Sequence, residues 1–362
     1  MLKKYKDKTV LVTGHTGFKG SWLCSWLTLL GAKVVGLSID IPSIPSHFLS
    51  TTLGNFIEDH RVDIQDTSAI KKIVNEVQPD FIFHLAAQAL VRKSYESPFE
   101  TIKTNAIGTA SILEAVRVLE KDVVVVCITS DKVYDNVEWT WGYREVDRIG
   151  GRDPYSASKG MAELAIRSYF DCFFNNRDSN VKIGIARAGN VIGGGDWALD
   201  RIVPDCIKAW SKNEIVEIRN PKSTRPWQHV LEPLSGYLTF ALNLYESSNN
   251  HGEAFNFGPP ADQNFPVDEL INEMSKYWDK VKWKDVSDIS SHHHEAGLLK
   301  LNCDKVLQEL DWTPNLNFKE TVKMTVEWYK EFYNNNESMY AFNISQIEEY
   351  TKLAKTRDKC WI

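Results

Sequence analysis

The chain has 362 residues, 43% hydrophobic and 25% charged, which is the profile of a globular protein long enough for two lobes. Its formal net charge of −6 argues against a nucleic-acid partner, which usually requires a basic face. No apolar run approaches the ~18 residues of a membrane span, and we identify no signal peptide.

The six cysteines are scattered and include no CxxC pair. Scattered single cysteines are typical of reduced thiols in a protein of a reducing compartment. We therefore expect a cytoplasmic protein without disulfides.

A glycine-rich turn follows the first predicted strand, residues 9–13. Glycines at 14, 17 and 20 form a GxxGxxG pattern, and an amphipathic helix pattern runs from there to Gly31. Glycines let the backbone turn tightly and approach a pyrophosphate at the helix N-terminus, so the pattern predicts a dinucleotide site. A glycine-rich connection without a ligand is the disfavoured alternative. The residues assigned to this site are Gly14, Thr16, Gly17, Phe18, Lys19, Gly20 and Ser38.

The second predicted strand, residues 33–39, ends near Ser38, and Asp40 lies two residues beyond it. No arginine occurs at 38–41 to bind a 2′-phosphate, which favours NAD over NADP. Asp63 and Ile64 follow a short strand-like segment; contact with the adenine and a simple surface turn are equally compatible with the sequence.

Strands and helices alternate through the first half of the chain. Further strands are predicted at 80–85, 123–129 and 181–187, and helices at 99–119 and 156–171. This alternation predicts an α/β fold with a doubly wound, parallel Rossmann-type sheet.

Two short segments carry candidate catalytic groups. Tyr155 and Lys159 are four residues apart on a predicted helix, so the ammonium can lower the pKa of the phenol, which can then act as a base. Ser130, Asp131 and Lys132 follow strand 123–129, and parallel sheets present catalytic groups at that end of a strand. For either segment the alternative is an ordinary surface feature.

After about residue 188 the alternation fades, and glycine, proline and tryptophan become frequent. We therefore divide the chain into a NAD-binding Rossmann domain, 1–187, and a smaller mixed α/β substrate lobe with a C-terminal tail, 188–362. Part of 225–260 can return to the first domain, because 253–259 has a strand-like pattern. The tail from about 334 is expected to pack loosely.

The glycine turn, the catalytic pair and the strand that precedes Ser130 together resemble the extended short-chain dehydrogenase/reductase superfamily. Longer stretches resemble its nucleotide-sugar 4,6-dehydratases, in particular the CDP-glucose 4,6-dehydratase family, over nearly the whole chain. The Asp131–Lys132 pair matches that family, whereas dTDP-glucose dehydratases carry Asp-Glu. The similar stretches are 84–88, 139–145, 188–197, 200–204 and 225–230.

The resemblance implies NAD-dependent dehydration of CDP-glucose to CDP-4-keto-6-deoxyglucose, a step in deoxysugar and lipopolysaccharide O-antigen biosynthesis. It implies that Ser130, Asp131, Lys132, Tyr155 and Lys159 are catalytic, with Lys132 either the base at C5 or an electrostatic stabiliser. It adds Leu85, Ala86 and Ala87 to the cofactor site, along with Tyr155 and Lys159. It assigns Gln88, Asn190, Arg201 and Arg225 to the substrate.

Physical arguments bear on some of these assignments. The planar fork of Arg225 suits a pyrophosphate, whereas Arg201 could bind phosphate or pair with Asp200 or Asp205. His292, His293 and His294 have no zinc-like ligand spacing around them, so we expect no metal site and interpret the run as local structure or a substrate-edge contact.

The resemblance also implies a homodimer built on the two helices at 99–119 and 156–171. Their small and apolar residues could pack closely between protomers. These are Ile102, Ala106, Ala110, Leu113, Ala162, Leu164 and Ala165.

Two alternatives stay open. One is another enzyme of the superfamily, either a different nucleotide-sugar 4,6-dehydratase or a 4-epimerase. The Asp131–Lys132 pair counts against an epimerase. The other is a catalytically silent dinucleotide-binding regulator, against which the intact Tyr155 and Lys159 count. The choice of CDP rests on the resemblance alone, because no residue in the sequence identifies the nucleobase.

Overall fold

The computed structural model describes residues 1–176, 179–287, 298–335 and 337–362. Seven parallel strands form its central sheet, in the order β11-β6-β5-β4-β1-β2-β3. The predicted doubly wound parallel sheet is therefore confirmed. The strands are β1 Thr9–Thr13, β2 Lys33–Ser38, β3 Glu58–Arg61, β4 Phe81–His84, β5 Val123–Ile128, β6 Val181–Ala188 and β11 Ala254–Phe257.

Helices cover both faces of the sheet and build the C-terminal part. They are α1 Phe18–Leu29, α2 His47–Ser50, α3 Thr67–Val77, α4 Val91–Glu96, α5 Pro98–Ile102, α6 Gly108–Val116, α7 Pro154–Tyr169, α8 Ile202–Ser211, α9 Leu231–Glu246, α10 Val267–Met274, α11 Asp304–Leu310, α12 Phe318–Asn334 and α13 Tyr340–Thr356. Short π-helical turns follow α5 (Lys103–Ile107) and α7 (Phe170–Phe174).

The apolar strands contribute side chains to two separate hydrophobic cores, one on each face of the sheet. Successive side chains of a strand point to opposite faces, so Val10 and Val12 of β1 pack with α1 and α9, whereas Leu11 packs with α3 and α6. All of β5 is buried for the same reason, because helices cover the sheet on both sides.

The later half of the chain contributes both to this sheet and to a less regular layer. β11 extends the sheet beside β6, and α9 packs against β5 and β6. Three two-stranded pairs complete the layer, formed by β7 Val191–Ile192 with β10 Gln228–His229, β9 Thr224–Arg225 with β12 Phe265–Pro266, and β8 Val216–Ile218 with β13 Trp283–Asp285.

The prediction of a loosely packed tail from about 334 is wrong. Helix α13 packs on α1, where the Trp26 ring lies 5.6 Å from Tyr350 and 6.4 Å from Trp361. Tyr350 and Trp361 are both fully buried. The polar run at 334–337 suggested a loose tail, but the helix that follows it, α13, contributes apolar residues to the core on the α1 side of the sheet.

The predicted packing face on the helices at 99–119 and 156–171 also needs correction. Ala106, Leu113 and Ala162 are buried inside the protomer, where these helical segments pack against one another and α6 packs against α3. The large apolar side chains exposed within 99–119 and 156–171 are Phe99, Ile107, Val118, Met161 and Leu164.

Within the described ranges, no helix combines the length and hydropathy needed to cross a bilayer. The same ranges contain no group of three His, Cys, Asp or Glu side chains placed to hold a metal ion. His292, His293 and His294 lie outside the described residues.

Candidate active site

A cleft of about 1730 Å³ lies at the carboxyl ends of β1, β2, β4, β5 and β6 and continues under the C-terminal layer. It is large enough for a dinucleotide and a second nucleotide together. All but one of the predicted site residues line this cleft. They are Gly14, Thr16, Gly17, Phe18, Lys19, Gly20, Ser38, Asp63, Ile64, Leu85, Ala86, Ala87, Ser130, Asp131, Lys132, Tyr155, Lys159, Asn190, Arg201 and Arg225.

The exception is Gln88. Its amide donates to the Leu90 carbonyl and Thr101 Oγ1 and accepts from the Leu90 N–H, so its side chain shapes the loop after β4. The structure does not bring it into the cleft.

The glycine turn can only be built from glycines. Gly14 has φ +75, and a Cβ there would lie 2.7 Å from the Ala86 nitrogen. A Cβ on Gly20 would overlap the Gly14 carbonyl. Because neither position has a side chain, α1 begins against the ends of β1 and β4 and its first N–H groups face the cleft, a geometry that suits a pyrophosphate.

A contact that the sequence analysis missed holds this turn. The His15 ring is fully buried; its Nδ1 lies 3.0 Å from Ser38 Oγ and its Nε2 lies 2.9 Å from Asp59 Oδ1 on β3. Burial is the main cause that lowers the pKa of His15. A glycine at 36, inside a strand, makes room for the imidazole and was the available signal.

The charged residue of the turn is unusual. Burial of the Lys19 ammonium, helped by the charges of Arg201 and Lys159, lowers its pKa to about 8, against an opposing effect of Asp131. The cofactor side of the cleft therefore contains a cation that loses its proton readily.

Helix α7 presents Tyr155 and Lys159 from its first turns. Asp153 caps the helix by accepting from the Ser156 N–H at 2.9 Å, and Pro154 stands at the first helical position. Burial raises the pKa of Tyr155 to about 12, while a hydrogen bond with Ser130 opposes the rise. Burial lowers the pKa of Lys159 to about 8, opposed chiefly by the charge of Glu163.

The segment after β5 forms a short 3₁₀ turn, Asp131–Val133. Ser130 caps it by accepting from the Lys132 N–H at 3.2 Å, and the Ser130 hydroxyl donates to Asp131 Oδ1 at 2.9 Å. Ser130 and Asp131 are buried, and Lys132 is half-buried. A hydroxyl, a carboxyl and an ammonium thus share the cleft with the Tyr155 phenol.

The Asp131 carboxyl group packs directly against the backbone of Gly189, a contact that the sequence analysis also missed. A Cβ at this position would overlap the Asp131 carboxyl group. Any larger residue would push the carboxyl group out of its place.

The predicted substrate residues lie on the far side of the cleft. Asn190 has a left-handed backbone with φ +41, which asparagine tolerates. Arg201 pairs with Asp196 at 2.6 Å, while Asp200 pairs with Arg92. Arg201 therefore forms an ion pair, as one of the two alternatives predicted, but its partner is Asp196 and not Asp200 or Asp205. Its side chain also lines the cleft. Arg225 Nη1 donates to the Thr224 carbonyl at 2.8 Å.

Asp63 and Ile64 lie in a turn at the cleft, and contact of these residues with the adenine stays a prediction. Asp63 Oδ1 accepts from the Gln65 N–H at 2.9 Å, which is a side-chain-closed turn, and both residues line the cleft.

Comparison with known proteins gives a consistent result. The GDP-mannose 4,6 dehydratase family model matches residues 11–325. The chain is 45% identical over 350 residues to a CDP-glucose 4,6-dehydratase of Salmonella typhimurium, covering 96% of this chain and 97% of that protein.

Solved structures show the same fold. A UDP-glucose 4-epimerase of Thermotoga maritima with UDP-glucose superposes with a TM-score of 0.75 at 22% identity, covering 89% of this chain and 99% of that one. A dTDP-glucose 4,6-dehydratase of Bacillus anthracis in complex with NAD gives a TM-score of 0.74 at 20% identity, with 93% and 99% coverage.

Proposed function

Because this chain belongs to the GDP-mannose 4,6 dehydratase family, we propose that it is an NAD-dependent lyase that converts CDP-glucose to CDP-4-keto-6-deoxyglucose. The observation that carries the proposal is the 45% identity, over 96% of the chain, to a CDP-glucose 4,6-dehydratase. The Asp131–Lys132 pair beside Tyr155 supports it, since dehydration needs an acid and a base beyond those of a simple oxidation.

The cofactor side of the cleft fits NAD. A Cβ on Gly14, Gly17 or Gly20 would press on the backbone of the turn or of Ala86, so these glycines let the turn close tightly at the N-terminus of a twelve-residue helix. Ser38 and Asp63 line the region for the adenosine, and Lys159 lines the region for the nicotinamide ribose. When bound, NAD would supply a hydride acceptor for the oxidation at sugar C4 and a hydride donor for the reduction at C6.

Tyr155 takes the proton of the 4-hydroxyl in the proposed oxidation. Burial raises the pKa of Tyr155 to about 12, so in the cofactor-free protein the phenol is protonated and must ionise before it can accept that proton. Ser130, hydrogen-bonded with Tyr155, orients the 4-hydroxyl. The hydrogen bond with Ser130 and the positive charge of Arg201 oppose the rise in pKa and favour the ionised phenol.

Asp131 and Lys132 carry out the elimination. The 4-ketone acidifies the C5–H, a base removes that proton, and Asp131 protonates the departing 6-hydroxyl, which leaves as water. Lys132 is either that base or the group that stabilises the enolate. A proton must return to C5 when C6 is reduced. Asp131 is seated on Gly189 and fixed by Ser130, so it approaches the sugar from the same end of β5 as the oxidising groups.

The pyrophosphate of the substrate is assigned to Arg225, with Asn190 and Arg201 beside the sugar or phosphate. Arg225 and Arg201 both line the cleft from the C-terminal layer, opposite the glycine turn. The Asp196 partner of Arg201 holds that guanidinium in place.

We also propose a cytoplasmic homodimer that acts in deoxysugar synthesis, including that of lipopolysaccharide O-antigens. Phe99, Ile107, Met161 and Leu164 are exposed on the helices already assigned to the interface. Large exposed apolar side chains on neighbouring helices favour association.

The test is to incubate the purified protein and NAD with CDP-, dTDP-, GDP- and UDP-hexoses and to follow the 4-keto-6-deoxy product. We expect conversion of CDP-glucose, and none in a Tyr155→Phe control. Formation of a 4-epimer without loss of water would favour the epimerase alternative. NAD binding without conversion of any sugar would favour a regulator.

A further inference from the structure

A buried ion pair joins the segment that carries Asp131 and Lys132 to the helix that carries Tyr155 and Lys159. Its members are Glu163 on α7 and Arg187 on β6, with side chains 1% and 3% exposed. Arg187 Nε donates to Glu163 Oε1 at 2.9 Å, and the Nη2 group donates to the other oxygen. Neither residue lines the cleft.

Glu163 holds the start of the catalytic segment. It lies one helical turn after Lys159, and its Oε1 accepts from Thr129 Oγ1 at 2.6 Å. Thr129 immediately precedes Ser130, so the position of the Ser130 hydroxyl is tied to helix α7.

Arg187 holds the end of the same segment. Its Nη1 donates to the Tyr134 hydroxyl at 2.7 Å, and that hydroxyl donates to Asn256 Oδ1 at 2.8 Å on β11. Tyr134 comes two residues after Lys132. The ion pair therefore fixes both ends of the short turn on which Asp131 and Lys132 stand.

Stability alone is a poor explanation for such a pair. Removing two charges from water is costly, and well-packed apolar residues often serve as well or better. A buried pair does fix geometry, because each charge tolerates few arrangements of its partner. The negative charge of Glu163 also opposes the effect of burial on the pKa of Lys159.

We propose that Glu163 and Arg187 are positioning residues, which hold the acid and base of the elimination in register with the base of the oxidation. The inference rests on the proposed function, since only a two-stage reaction on one sugar needs the two segments in register. Tyr134 is the link for Asp131 and Lys132, and Thr129 is the link for Ser130.

The two links allow the stages to be separated. Tyr134→Phe removes the bond between the turn and Arg187, whose Nη1 keeps the Glu145 carbonyl as an acceptor at 3.1 Å. It should loosen the Lys132 side of the turn, while Thr129, Ser130, Tyr155 and Lys159 keep their places. Thr129→Val instead frees the Ser130 side. The matched control is Tyr143→Phe: its ring stacks 5.1 Å from Tyr134, but its hydroxyl contacts Asn136 and Val137 and not Arg187.

Single-turnover mixing with CDP-glucose separates formation of reduced cofactor, which reports oxidation, from its decay, which reports elimination and return. In Tyr134→Phe we expect unchanged formation and decay slowed about 100-fold, the cost of a displacement of about 1 Å. Thr129→Val should slow both phases, and Tyr143→Phe neither. Wild-type kinetics in Tyr134→Phe, or a parallel loss of both phases, would overturn the inference.

Amide hydrogen exchange of residues 129–134 in the substrate-free protein is the second readout. Exchange should be faster in Tyr134→Phe and Thr129→Val than in the wild type or Tyr143→Phe; equal exchange in all four would overturn the positioning role. If the wild type itself fails to convert CDP-glucose, the proposed function fails, whereas the exchange comparison still decides whether the pair orders the segment.

Discussion

The two halves of this molecule differ in how far apart in the chain their contacts lie. In residues 1–188 the glycine turn, residues 85–87 and residues 130–132 each follow a strand closely, and Tyr155 and Lys159 share the start of one helix. A short stretch of sequence therefore contains both the motif and the element that positions it. In residues 189–362 the cleft residues depend on distant partners: β11 completes a sheet that begins at residue 9, and Tyr329 donates to the Asp196 carbonyl. The proposed catalytic residues therefore lie in the first half, and contacts from the second half complete its sheet and the cleft.

Aromatic rings and a hydrogen bond join the two halves beside helix α1. Trp22 of α1 donates to the Gly194 carbonyl at 2.9 Å, and its ring stacks on His47, which stacks on Trp328 of α12. A Cβ at Gly194 would overlap Trp328. The glycine-rich stretch at 193–195 is thus threaded between the two halves.

The largest effect is expected where the first half carries the chemistry. Tyr155→Phe should lower turnover by ~10²–10⁴-fold, the usual cost of losing a general base, because no other phenol is assigned to the 4-hydroxyl. Thermal unfolding should be unchanged, since the ring stays. Near-native turnover in this variant would show that another group is the base.

Trp361→Ala tests whether the second half supports the first. Removing a fully buried indole should lower the free energy of unfolding by ~3–5 kcal/mol. Trp141→Ala is the control, because that side chain is 72% exposed and should change little. Equal urea midpoints for the two variants would contradict the role we assign to the tail.

The buried cation at 159 gives a pH dependence of stability. Burial lowers its pKa in the folded protein to about 8 from the usual 10.5, so between these values the unfolded chain binds more protons. Stability should therefore rise with pH across this window, by on the order of 3 kcal/mol from this group. Lys159→Met should lack that contribution when unfolding of the cofactor-free protein is followed from pH 7 to 11. Parallel wild-type and variant curves would contradict it.

Asp131→Asn should separate the two stages of the reaction. Asparagine keeps the shape of the side chain but cannot supply a proton, so elimination should slow by ~10²-fold while oxidation continues. Enzyme-bound reduced cofactor should then accumulate, visible in the near-ultraviolet, with little 6-deoxy product. Full dehydratase activity without that signal would remove the reason to prefer dehydration over epimerisation.

The features that could be predicted from the sequence are those that depend on local pattern, and most of them lie in the first half of the chain. The strands at 9–13, 33–39, 123–129 and 181–187 and the clustering of the glycine turn, Ser130 and Tyr155 were predictable, because each depends on local pattern and on the end of a parallel strand. Three other features could not be predicted: the burial of Trp361 in the core, the ion pair of Glu163 with Arg187, and the packing of Asp131 against Gly189. These depend on which distant residues meet, and no periodicity records that.

The packing of Trp26 against Tyr350 and Trp361 has a consequence for biosynthesis. A ribosome delivers α1 hundreds of residues before it delivers the rings that cover Trp26, so the nascent dinucleotide turn stands on a helix with an open apolar flank. Chaperones would meet this flank for most of translation. The core on the α1 side of the sheet is complete only after the chain has been synthesised as far as Trp361.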